Sequence, residues 1–441
     1  MQYIWHPCSQ MKDYENFPPV IIERGEGAYL YDIEGKSYLD AVSSWWVNIF
    51  GHSNKRLNEA LRKQSENLEH VIFANFSHKP AIEIAERIVD ITPVGLQKVF
   101  FSDNGSSAVE VSLKLSFQYH QQKGNINKTR FVSITGAYHG ETLGALSVGD
   151  IDIYSEIYNP IMVNTYRVKG PDCYRCELGK QRGECNSECF ANMENFLEEN
   201  NEKICGIIIE PLIQGAAGMK IYPPCYIKKL RDICTRYDIH FIADEIAVGF
   251  GRTGKMFACE HAEITPDIMC LSKGLTAGYL PMALTVTTDE IYNAFYADYT
   301  ERKAFMHSHS YNGNPLACSV AIESLNIFRD EAILEKNIDK AKLICNIANE
   351  QFKNQKYVGE YRQIGMVSAI ELVENKATKK GFDWAKRVGY NIYKIALKHG
   401  VLLRPLGNVI YFMPPYVIEE KDIELMISVA KKSINEYFRE I

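Results

Sequence analysis

Between residues 98 and 290 short apolar runs alternate with amphipathic stretches. The runs are "KVFFSD", "RFVSITG", "GIIIEP", "IHFIADEI", "DIMCLSKG" and "MALTVTT". They are continuous rather than alternating, the pattern of strands buried on both faces of a sheet. From Ser106 to Gly124 the apolar positions fall at helical spacing, with Val109, Leu113 and Phe117 on one face. Residues Pro224 to Ile239 repeat that pattern. The alternation predicts an α/β architecture with a mostly parallel central sheet and crossover helices.

The last part of the chain reads differently. Residues 335–355 and 421–441 have long amphipathic helical periods, while "MVSAIELV" and "VIYFMPP" read as strands. Near the start, "AYLYDIEGKSYLDAVSSWW" predicts a hairpin turning at Glu34–Gly35. No repeat, low-complexity tract or Pro/Gly/Ser linker separates these regions. The expected organisation is a large domain over 56–312 and a smaller α+β domain assembled from 1–55 and 313–441.

Composition narrows the class. The chain has 441 residues, 46% hydrophobic and 24% charged, with a net charge of -6. This is globular composition without the basic footprint of a nucleic-acid binder. No apolar run approaches the roughly 20 residues of a membrane helix, and the N-terminal residues carry no signal-peptide pattern. A cytoplasmic protein is expected, with neither nucleic acid nor membrane as partner. Twelve cysteines scattered over a long chain suit reduced thiols. Four cluster in "CYRCELGKQRGECNSEC": Cys173, Cys176, Cys185 and Cys189. Zinc could use four thiolates, but the spacing is loose and the intervening residues are polar. Free thiols on a surface excursion, with no metal, are the favoured reading.

Four features carry chemistry. Lys273 follows an apolar run and sits among Ser, Thr and Gly in "LSKGLTAG". Gly105, Ser106 and Ser107 stand at a strand-to-helix turn, the outline of a phosphate cradle. Asp244 and Glu245 end an apolar strand, so only one carboxylate can face a given ligand. Tyr138 and His139 follow another strand, where an aromatic face could stack on a planar ring. Each has a plainer reading alone: a solvated lysine, a helix cap, an ion-paired acid, a core tyrosine. Together they supply an amine, a carboxylate, a ring face and an anion site, the set that pyridoxal phosphate needs.

The segments "GIIIEPLIQGAAGM", "ADEIAVGFGRTGKMFACEHAEITPDIMCLSKGLTAG" and "SHSYNGNPLACSVA" resemble the class III aminotransferases, which have the fold-type I architecture. "IWHPCSQM", "SSWWVNIFGH" and "LLRPLGNVIYFMPP" resemble the diaminopelargonate synthase branch, which moves an amino group onto 8-amino-7-oxononanoate in biotin biosynthesis. S-adenosylmethionine is the usual donor in that branch, and some members use lysine. The resemblance implies that Lys273 bonds to the cofactor aldehyde and shuttles a proton. It implies that Asp244 pairs with the pyridine nitrogen, and that Gly105 and Ser106 hold the phosphate. Tyr138, with His139 beside it, would cover the ring. His309 and Ser310 would reach in from a second subunit of a homodimer. Trp45, Ser308, Arg404 and Cys8 would contact substrate, with Arg404 gripping the acceptor's carboxylate. Cys8 stands where related chains often have an aromatic residue. The rival functions are another ω-aminotransferase, acting on ornithine, 4-aminobutyrate or a diamine, and a non-catalytic binding protein of the same fold.

Overall fold

The computed structural model describes residues 3–439. Strands β1 (Ile22–Glu26), β2 (Tyr29–Asp32) and β3 (Ser37–Asp40) form an antiparallel meander. Gly35 turns the β2–β3 hairpin at φ 82°, where the sequence places it. Four further strands follow: β4 (Leu96–Ser102), β5 (Arg130–Ile134), β6 (Tyr166–Val168) and β7 (Ile204–Ile209). A short ladder of β8 (Ile213–Gln214) and β9 (Lys220–Ile221) precedes β10 (His240–Asp244), β11 (Ile268–Leu271) and β12 (Ala283–Thr288). The last are β13 (Val358–Ile364), β14 (Val367–Leu372), β15 (Val401–Leu402) and β16 (Val409–Phe412).

Seven strands build the central sheet in the order β4-β12-β11-β10-β7-β5-β6. From β6 to β11 every pairing is parallel. Only β12 runs against its neighbours, β11 and β4. Every residue of β7, β10 and β11 is buried, because helices cover both faces. That is why these strands show no alternation in sequence. The helices Gly105–Gln122 and Pro224–Arg236 lie where the periodicity puts them. Loops leaving the carboxyl ends of the parallel strands converge at one edge of the sheet, the usual ligand crevice of such folds.

The smaller sheets draw on both ends of the chain. β15 lies parallel to β3, pairing Leu39 with Val401 and Asp40 with Leu402. β13, β14 and β16 form an antiparallel sheet beside it. Gly365 joins β13 to β14 at φ 53° and presses on the neighbouring lobe. A Cβ there would lie 2.4 Å from the Thr253 carbonyl carbon and 2.5 Å from the Arg252 oxygen. Backbone atoms cannot swing aside, and the conformation itself disfavours a side chain. Gly365→Ala is therefore expected to destabilise the protein by about 2–4 kcal/mol. A thermal midpoint unchanged within error would refute this.

Candidate active site

Ser272 and Lys273 leave β11 with the backbone bent sharply. Lys273 has φ 45°, a left-handed conformation rare for a residue with a side chain. The Ser272 hydroxyl fixes the bend by donating to the Met282 carbonyl at 2.8 Å. Lys273 Nζ thus enters a cavity of about 490 Å³ and stands 4.9 Å from the centre of the Trp46 ring. Desolvation pushes its pKa down; Asp244 and Glu210 pull the other way, and Arg252 adds to the depression. The lowering is toward the neutral form, the form in which an amine acts as a nucleophile or base.

Asp244 and Glu245 divide as strand geometry demands. Asp244, only 4% exposed, faces the cavity. Its Oδ2 lies 2.7 Å from His139 Nδ1, and its Oδ1 accepts the Ile246 N–H at 3.1 Å. Glu245 points away and accepts the N–H groups of Ala258 and Cys259 at 2.9 and 2.8 Å. Burial pushes the Glu245 carboxyl up to about 7.

The cradle is built at the N-terminus of helix Gly105–Gln122. Asn104 caps it, its side chain accepting the Ser107 N–H at 3.0 Å. The first N–H groups of the helix have no intrahelical partner and lie at its positive end. Gly105 and Ser106 line the cavity, and the Ser106 hydroxyl accepts the Glu141 N–H at 3.2 Å. Gly140, at φ 123°, closes tightly on this point: a Cβ there would fall 2.1 Å from Ser106 Oγ.

The opposite wall belongs to the small sheets. Asp40, buried at the end of β3, accepts N–H groups from Val42 and Ser44 and pairs with His52 Nε2 at 2.9 Å. This anchors a strained run, Ser43 (φ 49°), Ser44 (φ 58°) and Trp46 (φ 68°). The strain aims two tryptophans differently. Trp46 is buried and donates from its indole to the Tyr411 hydroxyl at 2.8 Å. Trp45 is 42% exposed at the cavity, with the Arg404 guanidinium 4.3 Å above its ring. Among the described residues Arg404 forms no ion pair, so its charge is free for an anionic ligand.

Glu210, directly after β7, was not singled out from sequence. It is buried beneath the cavity and accepts N–H groups from Gly215 at 2.8 Å and Tyr138 at 3.1 Å. Burial raises its carboxyl to about 7, against His139 and with Asp244. The Gly215–Met219 turn is braced from the small lobe. Buried Arg362 on β13 donates to the carbonyls of Met219 and Gly218 and pairs with Glu360 and Glu371. A line of contacts thus runs from β13 to the backbone of Tyr138.

The structure gathers Cys8, Trp45, Gly105, Ser106, Tyr138, His139, Asp244, Lys273 and Arg404 around one cavity. Ser308, His309 and Ser310 do not line it; they lie exposed, with His309 Nδ1 2.9 Å from Asp103 Oδ2. Besides Glu210, sequence reasoning passed over Tyr154, whose ring stands 5.4 Å from Tyr138. Tyr154 lies in none of the quoted segments; Glu210 lies in "GIIIEPLIQGAAGM", but a lone carboxylate after an apolar run shows no chemistry by itself. Cys173, Cys176, Cys185 and Cys189 are free and half-buried. Among the described residues no group of three or more His, Cys, Asp or Glu is arranged to hold a metal. The segment instead straps the lobes together, through Arg175 to Glu371 and Arg182 to Glu360, both at 2.7 Å.

Comparison with known proteins gives one answer. Residues 9–434 match the family model "Aminotransferase class-III". A protein of Geobacter sulfurreducens named adenosylmethionine-8-amino-7-oxononanoate aminotransferase is 46% identical over 438 residues, covering 98% of this chain and 96% of that one. The crystal structure of the Methanocaldococcus jannaschii protein of that name superposes with a TM-score of 0.94 at 41% identity, covering 99% and 97% of the two chains. An omega transaminase from Pseudomonas jessenii, solved in complex with PMP, superposes equally well at 30% identity, covering 100% and 97%. The strand order, the buried lysine and the matched length agree: this chain belongs to the class-III aminotransferases.

Proposed function

We propose that the protein binds pyridoxal phosphate and transfers an amino group from S-adenosylmethionine to 8-amino-7-oxononanoate, the biotin-pathway step. The observation that carries this reading is one cavity lined by Lys273, Asp244 and Arg404, the last without an ion pair among the described residues. The names of the relatives point the same way.

The residues present fit the cofactor. His139 Nε2 is buried without a partner. The close approach of Gly140 to Ser106 leaves no room for a side chain at the cradle. Asp244 is a buried carboxylate with no lysine or arginine partner among the described residues. Gly105 and Ser106 would hold the phosphate, Tyr138 would cover the ring, and Asp244 would keep the pyridine nitrogen protonated. Bound there, the group supplies an aldehyde for amine exchange and an electron sink for charge at the donor Cα.

The chain's own residues do the rest. Lys273 Nζ takes a proton from the donor Cα and returns it elsewhere, a general-base step suited to an amine of lowered pKa. His139 holds Asp244 in register through its Nδ1 contact. Trp45 and Trp46 form an apolar wall along which the acceptor chain lies, excluding water. Arg404, steadied on Trp45, binds the acceptor's carboxylate with two parallel hydrogen bonds.

A homodimer completes this reading. Phe76, Ile153, Ile157, Tyr299 and Met306 are exposed apolar side chains of the 56–312 region, surface that a second copy would cover. His309 and Ser310 of one copy would then serve the other's phosphate site.

The test is to incubate the holoenzyme with 8-amino-7-oxononanoate and either S-adenosylmethionine or lysine, and to assay 7,8-diaminononanoate. Strong amino transfer to 2-oxoglutarate, with none to 8-amino-7-oxononanoate, would overturn the acceptor. Transfer from lysine alone would replace the donor. Arg404→Met is expected to raise the acceptor's KM roughly 100-fold, the scale of a lost charge-assisted pair. It should also erase the preference for the free acid over its methyl ester; a preference that survives argues against Arg404 as the carboxylate site.

A further inference from the structure

Behind the candidate active site lies a second cavity, of about 410 Å³, between the N-terminal segment and helix Val388–Lys398. Cys8 borders both cavities. Tyr154 and Arg404 line the first cavity with it, and its backbone turns at φ 49°. The two spaces thus meet at this residue.

The second space is aromatic. Phe17 meets Tyr390 and Tyr393 edge-on at 6.4 and 6.0 Å, and the two tyrosine rings lie 6.0 Å apart. Its ionic groups cancel. Arg387 grips Asp13 with two hydrogen bonds of 2.8 and 2.7 Å while lying 4.0 Å over Tyr390. Among the described residues neither the Tyr390 nor the Tyr393 hydroxyl has a hydrogen-bond partner, and Tyr14 lines the same cavity. Flat walls, neutral overall charge and free hydroxyls suit an uncharged heteroaromatic ring carrying its own polar atoms.

The two substrates make different demands on this space. The acceptor is a single chain ending in a carboxylate, and Arg404 terminates it within the first cavity. The donor named in the previous section has an amino-acid head that must reach Lys273. Its nucleoside, joined through the sulfonium, extends beyond that head and needs a surface of its own. We propose that the aromatic cavity behind Cys8 is a nucleoside subsite, taking the adenosyl end of the amino donor while its amine stands at Lys273. The assignment of a role in turnover rests on the donor reading above; the binding site itself does not.

The probe is 5′-methylthioadenosine, which has the nucleoside and no amino group to react. Calorimetry with the holoenzyme should detect its binding. Phe17→Ala should weaken that binding at least ten-fold, and Tyr393→Phe, which removes only a hydroxyl, by roughly three-fold. In turnover, Phe17→Ala should raise the KM for S-adenosylmethionine about ten-fold and leave the KM for 8-amino-7-oxononanoate unchanged. No nucleoside binding to the natural protein, or equal binding by both variants with intact circular dichroism, overturns the subsite. Nucleoside binding lost in the variants, in an enzyme that transfers only from lysine, sustains the subsite and defeats the donor reading instead.

Discussion

Lys273→Ala is expected to lower kcat by roughly 10³-fold or more while leaving the fold intact. General acid–base groups and covalent amines each contribute on the order of 10²–10⁴, and this side chain is placed to serve as both. The structure separates catalysis from stability here. Among the described residues Lys273 Nζ makes no ion pair, desolvation lowers its pKa, and it stands 4.9 Å from the centre of the Trp46 ring. Removing it relieves a buried amine rather than breaking a support. The variant's thermal midpoint should match or exceed that of the natural protein. Small primary amines added in solution should restore part of the rate, since the missing base can then diffuse in. Turnover within ten-fold of normal would remove Lys273 from the chemistry.

Asp244→Asn is the second large effect, expected at about 10²–10³-fold in kcat, the scale for a charge stabiliser at a reacting centre. Asparagine keeps the shape and can still accept the Ile246 N–H and face His139, so global stability should change little. What disappears is the negative charge that would hold a proton on the ring nitrogen. Glu245→Gln is the matching control. That carboxylate turns away from the cavity onto the Ala258 and Cys259 N–H groups. It should cost stability through those hydrogen bonds and leave the chemistry near normal. Equal catalytic losses for the two variants would contradict the division of labour between these neighbours.

Much of this was legible in the sequence because the central strands are buried on both faces and show as unbroken apolar runs. β7, β10 and β11 are the clearest cases. β6 was not foreseen, since three residues, Tyr166 to Val168, carry no periodicity. Lys273 stood out because small residues surround it; Asp244 stood out because a carboxylate ends an apolar strand. Glu210 ends a similar strand but drew no attention, as its role comes from N–H groups of Gly215 and Tyr138, the latter 72 positions away. The separation of Trp45 from Trp46 was equally hidden. Their opposite placements follow from the left-handed backbone that Asp40 anchors, not from residue type. His309 and Ser310 show the converse: their proposed duty depends on a second copy, so one chain alone leaves them on the outside, and Ser308, expected at the substrate, lies exposed beside them.

The pairing of β3 with β15 has a bearing on how the molecule is made. Leu39 and Asp40 leave the ribosome long before Val401 and Leu402 exist. During most of translation the N-terminal meander has an open edge, and the tryptophan loop lacks Tyr411, which anchors Trp46. The doubly covered sheet, complete by Thr288, can form first. A nascent chain halted before residue 400 should therefore have a protease-resistant middle and a digestible beginning. Maturation of the site is then the last event of synthesis, triggered by the arrival of the final strands.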